Sequence, residues 1–109
     1  MSETTLPERT RHLLEESLLG EQDVDAKVRL LLEAEYLRRL ARYRRTDRTL
    51  SEKYGKTFEE FVSSRVVQRE GYTWDVETDA MDWETAIGGI KTLTAKLREL
   101  RELAHVQHS

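Results

Sequence analysis

Two long stretches of this sequence repeat apolar residues, with one aspartate among them, at steps of four and three residues. In the first stretch the series is Leu32, Tyr36, Leu40, Tyr43, Asp47, Leu50 and Tyr54. In the second stretch it is Val76, Ala80, Trp83, Ile87 and Ile90. Residues at this spacing share one side of an α-helix and pack against a neighbouring helix. The sequence therefore predicts an all-α protein built on two long helices.

Residues that start and stop helices divide the chain into segments. Asp23 or Asp25 can cap the first long helix, and Gly55 can end it. Thr57 and Glu60 have the spacing of a capping box, which opens a short elbow helix. The predicted helices run over about residues 24–54, 58–70 and 76–104. They make one domain, residues 23–104, between an acidic N-terminal helix or arm, residues 1–22, and a tail, residues 105–109.

Two adjacent glycines, Gly88 and Gly89, lie inside the second long helix. A glycine in a helix interior costs about 1 kcal/mol relative to alanine. The pair therefore predicts either a close approach of another helix or a kink.

The matched lengths of the two long helices, joined by a compact elbow, predict an antiparallel hairpin. Each long helix also carries a second apolar stripe, which such a hairpin leaves uncovered. A second hairpin from another copy would cover both stripes in a four-helix core. We therefore predict a homo-oligomer, in the simplest case a dimer. The residues predicted to mediate self-association are Leu30, Ala34, Leu37, Ala41, Leu93, Leu97 and Leu100.

Charge is segregated along the chain, although the net charge is only −3. Residues 1–25 carry two arginines and seven acids, whereas residues 26–56 carry ten lysines and arginines and four acids. Residues 57–90 are again acidic, with two arginines and eight acids. Such alternation favours blocks that neutralise each other within one fold or across a dimer.

Six arginines fall within eleven residues, from Arg38 to Arg48. Clustered guanidinium groups can bind a nucleic-acid backbone, but the chain is acidic overall and has no recognisable DNA-reading motif. An acidic protein partner is a further alternative. The favoured interpretation is a set of structural ion pairs, in which Asp47 also pairs because a carboxylate within a helix seam is costly alone. The residues predicted to form these ion pairs are Arg44, Arg45, Arg48, Asp47, Asp79 and Asp82.

Candidate chemistry is weak throughout the sequence. Cysteine is absent, which excludes disulfides and thiolate metal sites, and His12, His105 and His108 lack metal-ligand spacing. Helical nucleotide hydrolases bind Mg²⁺ through carboxylates on facing helices, but Glu33 and Asp79 are predicted at opposite ends of the hairpin. We expect no enzyme, no metal and no cofactor, with a metal-dependent nucleotide hydrolase as the least favoured alternative.

The sequence also gives an expectation for location. The longest apolar run is Leu30–Leu32, far short of the roughly 20 residues that cross a membrane. Residues 1–7 lack the basic and apolar regions of a signal peptide. We expect a cytoplasmic protein without a membrane partner.

Two strings in the second half of the chain carry a family resemblance. They are KYGKTFEEF, residues 53–61, and TWDVETDAMDWE, residues 73–84. With the helix that precedes them, they resemble a family of short helical proteins of archaea and cyanobacteria. The resemblance covers about residues 28–102 and leaves the first 25 residues outside it. Members of this family look like the antitoxin-like half of two-gene toxin–antitoxin loci.

The resemblance implies a protein that binds and neutralises a partner toxin encoded next door, with no catalytic residues to transfer. The acidic N-terminal helix is then a plausible toxin-binding arm, because a short amphipathic helix can dock in a groove of its partner. The predicted partner-binding residues are Leu13, Leu14, Leu18 and Leu19. The alternative is a structural homo-oligomer without a toxin partner.

Overall fold

The structure is a computed structural model of the 109-residue chain. It describes residues 6–17 and 23–108, of which residues 17 and 105–108 are described by their backbone alone. The helices are α1 (Glu8–Ser17), α2 (Val24–Tyr54), α3 (Phe58–Ser63), α4 (Val66–Arg69) and α5 (Trp74–His108). No strand occurs in these residues. The predicted all-α class is confirmed.

The ends of α2 and the start of α3 follow the signals in the sequence. The Asp23 side chain caps α2 by accepting a hydrogen bond from the Asp25 amide at 3.1 Å. Gly55 ends α2 in the left-handed region, at φ +62°, where glycine lacks the steric penalty of other residues. Thr57 and Glu60 form the predicted capping box, with each side chain bound to the other residue's backbone N–H.

The predicted single helix over residues 58–70 is wrong, because Arg65 interrupts it in the left-handed region at φ +52°. Phe61 and Val66 lie five residues apart, so a continuous helix would point them about 140° apart. The break lets both side chains enter the same core, where they are 2% and 4% exposed. The second long helix also differs from its prediction, since it begins at Trp74 and continues to His108 through most of the predicted tail.

The helices α2 and α5 lie along each other and run in opposite directions. Tyr54 near the end of α2 hydrogen bonds to Asp79 near the start of α5, and Asp47 hydrogen bonds to Trp83. Further along, Glu33 of α2 approaches Arg101 of α5 at 3.9 Å. Residues earlier in α2 therefore contact residues later in α5.

Two apolar clusters fill the space between the helices. The Trp83 cluster, where α3 and α4 meet α2 and α5, has four buried members: Leu50, Phe61, Val66 and Trp83. The Leu40 cluster lies further along the helix pair and has three: Leu40, Leu93 and Leu97. We call the part of the molecule around the Trp83 cluster the elbow end. The part beyond the Leu40 cluster, residues 24–37 of α2 and 98–104 of α5 with α1 beside them, is the open end.

The molecule is elongated, with extents of 57 × 31 × 31 Å and a radius of gyration of 19.9 Å. A compact domain of this length has a radius of gyration of roughly 13 Å. The apolar core is consequently a thin seam and not a sphere. Within the described residues, no helix is both long enough and apolar enough to span a bilayer.

Candidate protein-interaction surface

Large apolar side chains are exposed at the open end. Near its start α2 has three consecutive leucines, Leu30–Leu32, which are spread around the helix at about 100° per residue. All three are exposed. Leu30 is 46% exposed and Leu37 is 42% exposed. The exposed large apolar residues of this end are Leu13, Val28, Leu30, Leu31, Leu32, Leu37 and Leu103. Contiguous apolar surface of this kind marks an interaction site more often than does a scattered exposed leucine.

A groove of about 780 Å³ adjoins this surface, between α2 and α5. Leu37, Leu40 and Leu97 supply apolar walls. Arginine and glutamate side chains line its sides: Arg44, Arg98, Arg101 and Glu102. Apolar walls with a mostly basic border suit a peptide or helix that carries both leucines and carboxylates.

The helix α1 lies beside the start of α2. Lys27 of α2 is buried, and its Nζ donates to the Glu15 carbonyl of α1 at 3.0 Å. Of the predicted partner-binding residues, Leu13 is 62% exposed and Leu14 is half-buried. Leu18 and Leu19 lie outside the described residues. The described part of the predicted arm therefore presents one leucine to solvent.

The predicted self-association residues fall into two groups. Leu93, Leu97 and Leu100 are buried inside their own chain, so their assignment to a subunit interface is corrected. Leu93 and Leu97 pack against Leu40, because α5 turns its leucine stripe towards α2. Leu30, Ala34, Leu37 and Ala41 of α2 are all exposed. The sequence could not separate the groups, because both have the same apolar spacing.

The predicted ion pairs of Arg44, Arg45 and Arg48 are wrong within the described part of the chain. None of the three has a described carboxylate within 4 Å. Their neighbours Arg38 and Arg39 are held instead by Glu35 of the same helix, with Arg39 Nε 2.7 Å from Glu35 Oε2. The hydrogen bonds from Arg38 and then Arg39 lower the pKa of Glu35. The later arginines are thus left exposed, without a carboxylate from this helix.

Asp79 has different partners from those predicted. Lys53 Nζ and the Tyr54 hydroxyl both donate to Asp79 Oδ2 at 2.6 Å. Burial alone would raise the pKa of Asp79, but the hydrogen bonds from Lys53 and Tyr54 outweigh it and lower that pKa. Burial, and then the bond to Asp79, raises the pKa of Tyr54. The group ties the end of α2 to the start of α5.

Asp47 is the polar residue of the α2 seam, and its partner is an indole. Trp83 Nε1 donates to Asp47 Oδ1 at 2.8 Å, where an arginine partner was predicted. The bond gives the buried indole N–H an acceptor and fixes the ring within its cluster. Asp82 lines a surface depression together with Arg42 and Arg45 but pairs with neither within 4 Å. The sequence does carry a signal for this bond, because antiparallel packing of the two long helices brings the Trp83 donor level with Asp47.

Gly89 is the place where another side chain approaches the backbone of α5. A Cβ atom at this position would lie 2.4 Å from the ring of Tyr43 on α2. At Gly88 a Cβ would meet nothing within 4 Å. Helix α5 continues through both glycines, and the close approach of Tyr43 explains Gly89 but not Gly88.

Carboxylates do not converge in the part of the chain described. No three His, Cys, Asp or Glu residues there are grouped closely enough to hold a metal ion. Asp79 lies at the elbow end with Lys53 and Tyr54, whereas Glu33 lies near Arg101 at the open end.

Comparison with known proteins returns no match: no family model, no curated protein and no solved structure is detectably similar to this chain.

Proposed function

We propose that this chain is a protein-binding module of antitoxin type, which binds a small toxin encoded next door and neutralises it. One observation carries the proposal: the exposed leucines gathered at the open end. Exposed apolar residues gathered at one end of a molecule mark an interaction site, and among the described residues only α5 and α1 lie beside this part of α2. The family resemblance in residues 28–102 supplies the kind of partner. The proposal includes a cytoplasmic location for the protein and its partner.

The arm for the toxin is the N-terminal segment around α1. Leu13 and Leu14 provide its described apolar residues, and Leu18 and Leu19 continue the same series in the sequence. Residues 1–25 carry five more acids than bases, which suits a basic, RNA-cleaving partner. Electrostatic attraction of this kind speeds association, and buried leucines would hold the complex.

The direct test is co-expression with the small protein encoded next door. The neighbour alone should arrest growth, and co-expression of this chain should relieve the arrest. Calorimetric titration of the two purified proteins should give a defined stoichiometry. A neighbour that is harmless, or that does not bind this chain, contradicts the proposal.

A matched pair of variants locates the arm. Leu13→Asp should weaken toxin binding by about tenfold or more, since an interface leucine is replaced by a charge. Met81→Asp is the control, because Met81 is 68% exposed on α5 at the elbow end. Both variants should keep the helical circular dichroism of the wild type. Equal loss in both variants would remove Leu13 from the interface.

A second candidate function is a structural homo-oligomer, which the exposed stripe Leu30, Ala34, Leu37 and Ala41 favours. In this form α2 and α5 act as an antiparallel hairpin that pairs with a second hairpin into a four-helix core. Sedimentation equilibrium distinguishes it: a concentration-dependent dimer with no binding to the neighbouring protein supports this candidate alone.

A further inference from the structure

One exposed face of α2 is apolar in its first half and basic in its second. Leu30, Ala34, Leu37 and Ala41 follow each other by steps of four and three. The same steps continue to Arg44 and Arg48, so all six residues lie on one side of the helix. We call these six residues the second face of α2. All of them are exposed, and neither arginine has a described carboxylate within 4 Å.

The opposite charge is found at the other end of the second face. Asp23 caps α2 and Asp25 stands in its first turn. The helix α1 lies at the same end, because Lys27 Nζ donates to the Glu15 carbonyl. Glu15 and Glu16 are exposed there. Each chain therefore carries arginines past one end of an apolar stripe and carboxylates past the other.

A second copy can meet this face in two directions, and charge decides between them. In a parallel pair Arg44 and Arg48 would lie against the same arginines of the second copy, and like charges repel. In an antiparallel pair Leu30 comes level with Ala41 of the second copy, and Ala34 with Leu37. In this register Arg48 comes level with Asp23 of the second copy, and Arg44 with Lys27, whose Nζ is turned to the Glu15 carbonyl of α1.

We infer that the second face of α2 binds a second copy of the chain in antiparallel orientation, with leucine-alanine layers at the centre and an Arg48–Asp23 pair on each side. This inference rests on the self-association put forward above and specifies its surface and direction. The interface is isologous, with the same residues contributed by both copies about a two-fold axis. The alanines allow the helices to come close, and the charges set the direction.

Disulfide crosslinking tests the direction cleanly, because the chain has no cysteine of its own. A mixture of Leu30→Cys and Ala41→Cys chains should form a mixed disulfide under mild oxidation. Each variant alone should not, since its two cysteines would be offset by eleven residues, about 16 Å along the axis. A disulfide bridges Cα atoms no more than about 7 Å apart. Crosslinking of each variant with itself, and not in the mixture, would establish a parallel pair and overturn the inference.

A charge variant tests the second part of the inference. Arg48→Glu should weaken the dimer by about fivefold or more, as measured by sedimentation equilibrium. Arg69→Glu is the control, an exposed arginine of α4 at the elbow end, and should change the dimer less than twofold. Raising NaCl from about 50 mM to about 500 mM should weaken the wild-type dimer more than the Arg48→Glu dimer. Equal effects of both variants would show that the arginine half lies outside the interface.

The outcomes separate this inference from the broader proposal. A monomeric mass at high micromolar concentration overturns both the inference and self-association but leaves toxin binding standing. A dimer that crosslinks at neither combination overturns the inference and leaves self-association by another surface.

Discussion

The two ends of the α2–α5 pair differ in how completely their side chains are buried and hydrogen bonded within the chain. At the elbow end Trp83 is fully buried. The ring centres of Tyr54, Phe58 and Phe61 lie 5.0 to 6.0 Å from that of Trp83, and those of Tyr54 and Phe61 lie 4.9 Å apart. Its indole N–H has an acceptor in Asp47. At the open end, leucines of α2 remain nearly half exposed. The same two helices thus carry a self-sufficient core at one end and a surface suited to a partner at the other.

The physical difference lies in the number of elements that meet. Short helices α3 and α4 close the elbow end and bring Phe61 and Val66 onto Trp83. Among the described residues, only α1 lies beside the helix pair at the open end. Two helices that lie side by side leave part of their apolar surface uncovered, so that surface is available for binding. The contrast between the two ends predicts graded losses of stability, greatest at Trp83 and least at the exposed leucines of α2.

Removal of the central aromatic residue should have the largest effect. Trp83→Ala should lower the free energy of unfolding by about 3–5 kcal/mol, through lost burial and a cavity, and it leaves Asp47 without its donor. Urea titration followed by far-ultraviolet circular dichroism measures the change. Trp74→Ala, at a residue 79% exposed, should shift it by no more than about 0.5 kcal/mol. Similar losses in both variants would contradict a core centred on Trp83.

Substitution of the two adjacent glycines should give opposite signs. Gly89→Ala should destabilise by about 1–3 kcal/mol, because its Cβ overlaps the Tyr43 ring. Gly88→Ala should stabilise by up to about 1 kcal/mol, because helix propensity improves in open space. Thermal unfolding of both variants side by side provides the measurement. A destabilised Gly88→Ala chain would show that the pair, and not Gly89 alone, is required.

Loss of the Asp79 carboxylate should cost about 1–2 kcal/mol, since the Tyr54 hydroxyl loses its acceptor in a half-buried site. The pKa of Asp79 is lowered in the folded chain, so its charge stabilises the fold above the ordinary value of 3.8. That contribution is lost as the pH falls through the folded pKa. The stability difference between wild type and Asp79→Asn should be full at about neutral pH and should shrink in acid. A difference that is constant with pH would contradict this linkage.

The hydrogen bond to Asp79 raises the pKa of Lys53. The stability that Lys53 contributes is therefore lost at high pH, whereas that of Asp79 is lost at low pH. The contribution of Lys53 is present below the ordinary pKa of 10.5 and is lost as the pH rises through the folded value. Lys53→Met should remove this part of the alkaline loss of stability and leave the part due to Tyr54, whose pKa is also raised.

Exchange of an exposed leucine at the open end should have the smallest effect on the monomer. Leu31→Gln should change the free energy of unfolding by about 0.5 kcal/mol or less, because this side chain already contacts water. Leu40→Gln is the matched variant within the same helix, and its buried site should cost several times as much. Both are measured by urea titration at a concentration where the chain is monomeric. A large loss in Leu31→Gln would mean that the open end has a core of its own.

Much of the fold could be predicted from the sequence because the signals are local. The capping residue Asp23, the glycine that ends α2 and the capping box at Thr57 each act within one helical turn. The steps of four and three were likewise sufficient to orient Leu40, Leu50 and Trp83 inward. The break at Arg65 was not predictable, since arginine carries no signal for a left-handed conformation.

The candidate surface was only partly predictable. An apolar stripe indicates that its residues are to be buried, but it does not indicate which part of this chain or of a partner buries them. Leu30 and Leu97 have the same chemistry and the same spacing, yet one is exposed and the other lies inside the core. Likewise, charge alone placed arginines beside Asp79, whereas Lys53 and Tyr54 occupy that position.

The helical fold and the two ends of α2 follow from the sequence alone. They depend on contacts within one turn or on a single period of 3.6 residues. The tertiary structure is needed to establish which leucine stripe of α5 turns inward, which leucines remain outside, which donor reaches Asp47 and why Gly89 is a glycine. Those depend on the rotation and separation of two helices whose contacting residues lie about 26 to 68 positions apart in the chain, and helix spacing alone does not fix them.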